Sequence, residues 1–204
     1  MTLIKECCVG NYLEAKEGFL RGANRIELCD NLLEGGTTPS IGTIKKAKED
    51  IDIPINVIIR PRGGNFTYNE DEIEIMLEDI KVCKEIGVNG IVFGILDENG
   101  KIDIKNSKRL LEEAKGLNAT FHMAFDEIKD KKEAIDILVS LGVDRILTKG
   151  GENSALENLD TIKELIEYAD GKIILMPGGG VNKDNFEYVI SKTNCIEVHG
   201  TKIV

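Results

Sequence analysis

Short apolar runs alternate with longer amphipathic stretches along the whole chain. IKECCV, RIELC, INVIIR, GIVFG, ATFHM, RILT, KIILM and CIEVHG are each too short for a helix and rich in Ile, Val and Leu, which marks them as strands. Between them lie segments with apolar residues every three or four positions. Capping signals bound these helices: Asn11 to Gly22, Ser40 to about Asp50, Asn69 to about Ile86, Asp103 to Lys115, Asp130 to Leu141, about Ala155 to Ala169, and Asn182 to Ser191. Eight strand signals at intervals of about 20 to 35 residues, all but the last followed by a helix, predict an α/β fold, a closed (β/α)8 TIM barrel, as one domain over residues 1–204. An open doubly wound sheet is the alternative, but no GxGxxG follows the first strand and eight regular units favour closure. GANRIELCD and GVDRILTKG are weakly alike, as a repeated unit would be. The final helix is missing from the pattern, which predicts one uncovered side of the barrel and a homo-oligomer that covers it.

Barrel strands alternate inward and outward, so the polar parity of each strand identifies its lumen face. That parity gives Glu6 and Cys8 on the first strand, Arg25, Glu27 and Cys29 on the second, and Asn56, Ile58 and Arg60 on the third. It gives Thr120 and His122 on the fifth strand and Glu197 and His199 on the eighth, so both histidines of the protein fall near C-terminal strand ends, where active sites of this architecture lie. Glu6, Glu27, His122, His199 and the loop carboxylate Asp126 are therefore candidates for acid/base work. Internal ion pairing is the competing reading for Glu6, Arg25 and Glu27, and helix or turn capping for Asp126.

Composition narrows the partners. The chain carries 26 Lys and Arg against 36 Asp and Glu, a net charge of −10, which argues against nucleic acid and anionic membranes. No signal-peptide pattern precedes the first strand and no apolar run reaches the roughly 18 residues of a membrane span, so the expectation is a cytoplasmic protein. A local anion pocket is still compatible with that charge. Gly150-Gly151 after the sixth strand and Gly178-Gly179-Gly180 after the seventh could converge backbone N–H groups on a phosphate, or could serve turn geometry alone. Arg25, Arg60 and Arg62 could add charge. Lys149 lies beside the first of these loops but off the lumen parity, which argues against a Schiff base there.

The five cysteines are odd in number and lack zinc-finger spacing. Glu6-x-Cys8 and Glu27-x-Cys29 repeat one pattern on neighbouring strands, and in matching register the two thiols would face each other, a separation that could suit a low-coordinate Cu(I) ion. Cys7, Cys83 and Cys195 read as small buried apolar residues.

KECCVGN, RIELCDNLLEGGTTPS, NVIIRPRGGNFTY, GIVFGIL, FHMAFD, RILTKGG, MPGGGV and EVHG together resemble the CutC copper-homeostasis family over essentially the whole chain. The resemblance implies a cytoplasmic (β/α)8 barrel that binds Cu(I), with Cys8 and Cys29 at the family's proposed copper cysteines. Met123 stands where the family pattern has arginine, Lys149 where it has serine, and the chain ends at Val204 where the family continues into a further helix. Two functions follow. One is copper handling through Cys8 and Cys29. The other is a barrel enzyme acting on a small anionic or phosphorylated metabolite.

Overall fold

The structure is a computed structural model that describes residues 3–204. Eight parallel strands follow one another around a barrel: β1 (Ile4–Val9), β2 (Arg25–Leu28), β3 (Ile55–Ile58), β4 (Gly90–Phe93), β5 (Asn118–Phe121), β6 (Arg145–Thr148), β7 (Ile174–Pro177) and β8 (Glu197–Gly200). Each strand pairs with its sequence neighbours and β1 also pairs with β8, but no ladder joins β7 to β8 among the described residues, so the barrel is nearly closed. Pro177 at the end of β7 has no N–H to give to such a ladder.

Seven α-helices cover the strands: α1 (Tyr12–Leu20), α2 (Ile41–Asp50), α3 (Glu70–Ile86), α4 (Ile104–Glu113), α5 (Lys131–Leu141), α6 (Leu159–Ala169) and α7 (Phe186–Thr193). Their starts are chemical. The side chains of Asn11, Ser40, Asn69, Asp103 and Asp130 each accept an N–H from the first turn, and Asn69 forms a reciprocal capping box with Glu72. Two helices begin later than their apolar spacing predicts. The segment at Ala155 is a short 3-10 turn, and α6 starts at Leu159 because Asn158 turns its side chain back to the carbonyls of Glu152 and Ser154. Asn182 likewise closes a local turn, accepting from the Asp184 N–H while its own N–H goes to Asn185, so α7 starts only at Phe186.

Two apolar clusters hold this together. The larger lies between strands and helices, where outward residues such as Ile26, Leu28, Val57 and Phe93 meet Ile44, Met76 and Ile80. The smaller is inside the barrel and consists of Cys8, Cys29, Ile58 and Val92, with Leu32 packed against it. Among the described residues no helix follows β8. The last residues run across that side of the barrel instead, with Ile203 fully buried and the Lys183 N–H donated to the Lys202 carbonyl at 2.8 Å. No helix among the described residues is long and apolar enough to cross a membrane.

Candidate functional site

Below the mouth, the lumen is filled by paired charges. Arg25 and Glu6 are Cα partners across β1 and β2, and the Arg25 guanidinium donates to both Glu6 and Glu197. Arg145 adds a second cation, its Nε 3.0 Å from Glu197 and its Nη1 3.3 Å from the Thr120 hydroxyl, while Asn56 donates to Glu6 at 3.4 Å. All of these groups are buried, and an unpaired charge there would cost several kcal/mol. Arg25 thus neutralises the protein's own carboxylates, which corrects its expected role toward an external anion. Arg145 escaped the sequence reading. Its signal was its place at the head of RILT, matching Arg25 at the head of RIEL.

Glu6 links this layer to the chemistry above it. Its second oxygen lies 2.9 Å from His199 Nδ1, and the other ring nitrogen of His199 lies 3.6 Å from Glu27. The ligand atoms of Cys8, Glu27 and His199 all fall within 4.8 Å of one another. Cys29 sits at the rim of this cluster, its thiol donating to Glu27 at 3.6 Å. The matching register expected for the two Glu-x-Cys repeats is not observed. Cys8 faces Glu27, and Glu6 faces Arg25, because β2 is staggered by two residues against β1 and carries Cys29 one layer nearer the mouth.

Burial and charge set the protonation of this cluster. Burial alone would raise the Glu6 carboxyl, but the Arg25 guanidinium and His199 outweigh it and hold Glu6 at about 2. Burial likewise opposes a charged His199, yet the Glu27 carboxylate and its hydrogen bonds with Cys8 and Glu6 lift it well above the ordinary histidine range. Burial raises Glu27 against the pull of His199. The hydrogen bond to Cys29, then burial and Glu27, push the Cys8 thiol well up; Cys8 pulls Cys29 down, but burial and Glu27 leave it at about 11. The two thiols are thereby kept protonated beside a His199 ring whose charged form the Glu6 and Glu27 carboxylates favour.

Above it opens a cavity of about 230 Å³ whose walls include Cys8, Glu27, Cys29, Arg60, Phe66, His122, Met123 and His199. His122 Nδ1 accepts the Ala124 N–H at 3.1 Å, so the neutral ring carries its proton on Nε2. Burial first and the nearby Arg60 charge second depress His122 to about 3, which favours the neutral ring with Nε2–H as a hydrogen-bond donor. Asp126 is drawn away from the cavity. It accepts from the Thr148 hydroxyl at 2.6 Å and from the Lys149 N–H at 2.9 Å, and so pins the end of β6. Arg62 also lies outside, paired with Glu72 at 2.5 Å and stacked on Tyr68.

The glycine loops divide. Gly150 has φ +78° and gives its N–H to Thr148 at 2.8 Å, and Gly151 lies against Asn158, so this pair serves the turn before α6. Gly178 packs on Leu147, His199 and Met123, while Gly179 and Gly180 line a neighbouring cavity of about 360 Å³ with Lys202 and Asn182. Phe66 was not anticipated at all. It comes from the loop before α3, and no periodicity marks it.

The sequence profile of the CutC family matches residues 3–204. The chain belongs to the CutC family. A CutC family protein of Enterococcus faecalis is 46% identical over 99% of this chain and 100% of its own length. The mouse copper homeostasis protein cutC homolog is 44% identical over 96% of this chain and 72% of its own. A crystal structure of CutC from Streptococcus agalactiae superposes with a TM-score of 0.95 at 43% identity, covering all of both chains. A structure of a putative deoxyribose-phosphate aldolase from Coccidioides immitis reaches a TM-score of 0.71 at 10% identity over 98% of this chain and 81% of its own, which shows a shared fold alone.

Proposed function

We propose that this chain acts in copper homeostasis in the cytoplasm by binding Cu(I) as cargo at the barrel mouth, with the Cys8 thiolate and the His199 imidazole as principal donors. The observation that carries the reading is the convergence of the Cys8, Glu27 and His199 ligand atoms within 4.8 Å. The donor chemistry fits, because thiolate and imidazole suit Cu(I) better than oxygen does. The support behind His199 fits as well. Metal-binding histidines are held through their other ring nitrogen by a carboxylate, and Glu6 holds Nδ1 in that way while Arg25 fixes Glu6. Cys29 offers a second thiolate at the rim, and Glu27 is placed to take up protons that the metal displaces from the thiols.

The test is competition for Cu(I) against a chelator of known affinity. Cys8→Ser and His199→Asn should each weaken binding by about tenfold or more, with Cys29→Ser smaller. Unchanged affinity in both principal variants overturns the assignment. We further propose that the side beyond β8 pairs two copies of the chain. Light scattering across a concentration series tests that, and a monomer throughout refutes it.

A further inference from the structure

Arg25, Arg62 and Arg145 each pair with a carboxylate. Arg60 pairs with none among the described residues, although it is only 4% exposed. Its Nη1 donates to the carbonyls of Glu34 and Gly36 at 2.7 and 2.9 Å and its Nη2 to Gly64 at 2.7 Å, while Nε makes no hydrogen bond. The guanidinium is thus braced by neutral oxygens, out of water, with no carboxylate in contact with it among the described residues. Buried cations of this kind are paired, so the partner is expected from outside the chain.

A second orphan stands on the same cavity. His122 is 5% exposed, and its Nε2 has no partner. The Nδ1–Cε1 edge of its ring is pressed against the Gly94 backbone and Ala124, which leaves the Nε2 side for the cavity. Phe66 lies between the two orphans, 5.0 Å below the Arg60 guanidinium and with its ring centre 4.9 Å from that of His122. One buried cation, one neutral N–H donor and an aromatic wall therefore meet in a space of about 230 Å³, below the range of roughly 300 to 1,000 Å³ typical of drug-sized ligands.

We propose that this cavity binds a small organic monocarboxylate, its oxygens received by Arg60 and by the Nε2–H of His122, and its carbon skeleton packed on Phe66, Leu32 and Leu147. The charge argues for a monoanion. A phosphate dianion asks for several converging donors and more than one positive charge, and the Gly150 N–H that could have contributed is already bonded to Thr148. The apolar share of the wall, with Leu32, Ile58, Phe66 and Leu147, suits carbon better than a fully solvated inorganic ion. The cavity is shared with the proposed copper donors Cys8, Cys29 and His199, but neither Arg60 nor His122 belongs to that donor set, so the two readings fail separately.

Having only two histidines makes the protein its own reporter. Full-length protein labelled with 15N at histidine, kept metal-free by a chelator, is titrated at constant ionic strength with sodium acetate, sodium pyruvate, inorganic phosphate and sodium chloride. The expected result is a saturable movement of the His122 Nε2 resonance with acetate or pyruvate, and none with chloride. Calorimetry then compares variants. Arg60→Gln should abolish binding; because Arg60 also braces three loop carbonyls, His122→Asn is the cleaner change, since its amide oxygen can still accept the Ala124 N–H. The loss of one hydrogen bond to a charged ligand predicts a Kd raised by roughly tenfold or more. No saturable movement with either carboxylate, phosphate binding as tight as the carboxylates, or an unchanged Kd in His122→Asn would each overturn the proposal.

Discussion

Glu6 is the residue on which the lumen depends, because it joins the internal ion pairs to His199. Replacing it by Gln keeps the volume but leaves Arg25 with one carboxylate in place of two and removes the charge beside His199. Breaking a buried pair from one side is expected to cost about 3 kcal/mol in urea unfolding; a loss under about 0.5 kcal/mol, the scale of ordinary surface changes, would show the network to be dispensable. His122 makes a different prediction. Its folded pKa is depressed from 6.5 to about 3, so between those values the unfolded chain binds more protons than the folded one. The stability it contributes is complete above about 6.5 and is lost as pH falls toward 3. His122→Asn should therefore flatten the acid side of the stability profile in that window, and an identical slope in the variant would contradict the neutral, buried ring.

At the scale of elements, β4 shows how a strand makes room for its neighbours. Gly90 and Gly94 bracket GIVFG on the lumen parity. A Cβ at Gly90 would come within 2.5 Å of Asn56 Oδ1, and one at Gly94 within 2.5 Å of His122 Nδ1 and 2.9 Å of Ala124 Cβ. Gly94→Ala should cost about 1 to 3 kcal/mol and displace the His122 ring from the Ala124 N–H, visible as a shifted His122 Nδ1 resonance. An unmoved resonance would mean the backbone yields instead. In the sequence these glycines mark only strand ends, because periodicity does not reveal which neighbouring strand needs the space. The helix starts at Asn11, Ser40, Asn69, Asp103 and Asp130 were legible for the opposite reason: a cap is a bond between residues three apart. The starts expected at Ala155 and Asn182 fell too early because Asn158 and Asn182 spend their side chains on turns.

For the whole molecule the gap between β7 and β8 is the feature with a measurable consequence. Seven of the eight neighbouring pairs share a ladder and this one does not. Amides of β7 and β8 that point into the gap should exchange with solvent faster than those of the β2–β3 ladder in native-state hydrogen exchange. Equal protection around the ring would show a closed barrel in solution. The gap lies beside the two mouth cavities, whose walls share Met123, His199 and Thr201, and the Arg145–Glu197 ion pair spans it from β6 to β8, so opening there would reach the site and load that pair.

The sequence by itself determined the eight strand and helix units, the inward parity of Glu6, Cys8, Glu27, His122 and His199, and the family, since each is written in local spacing or in contiguous motifs. Tertiary structure alone decided the rest. The stagger that sets Cys8 against Glu27, the pairing of Arg25 and Arg145 with Glu197, the withdrawal of Asp126 and Arg62, and the unpartnered charge of Arg60 all depend on contacts between residues far apart in the chain. Side-chain type and period say which face a residue occupies. Only the shear between strands says which residue stands opposite, and that distance determines whether a carboxylate is an ion-pair partner, a metal neighbour or a strand clamp.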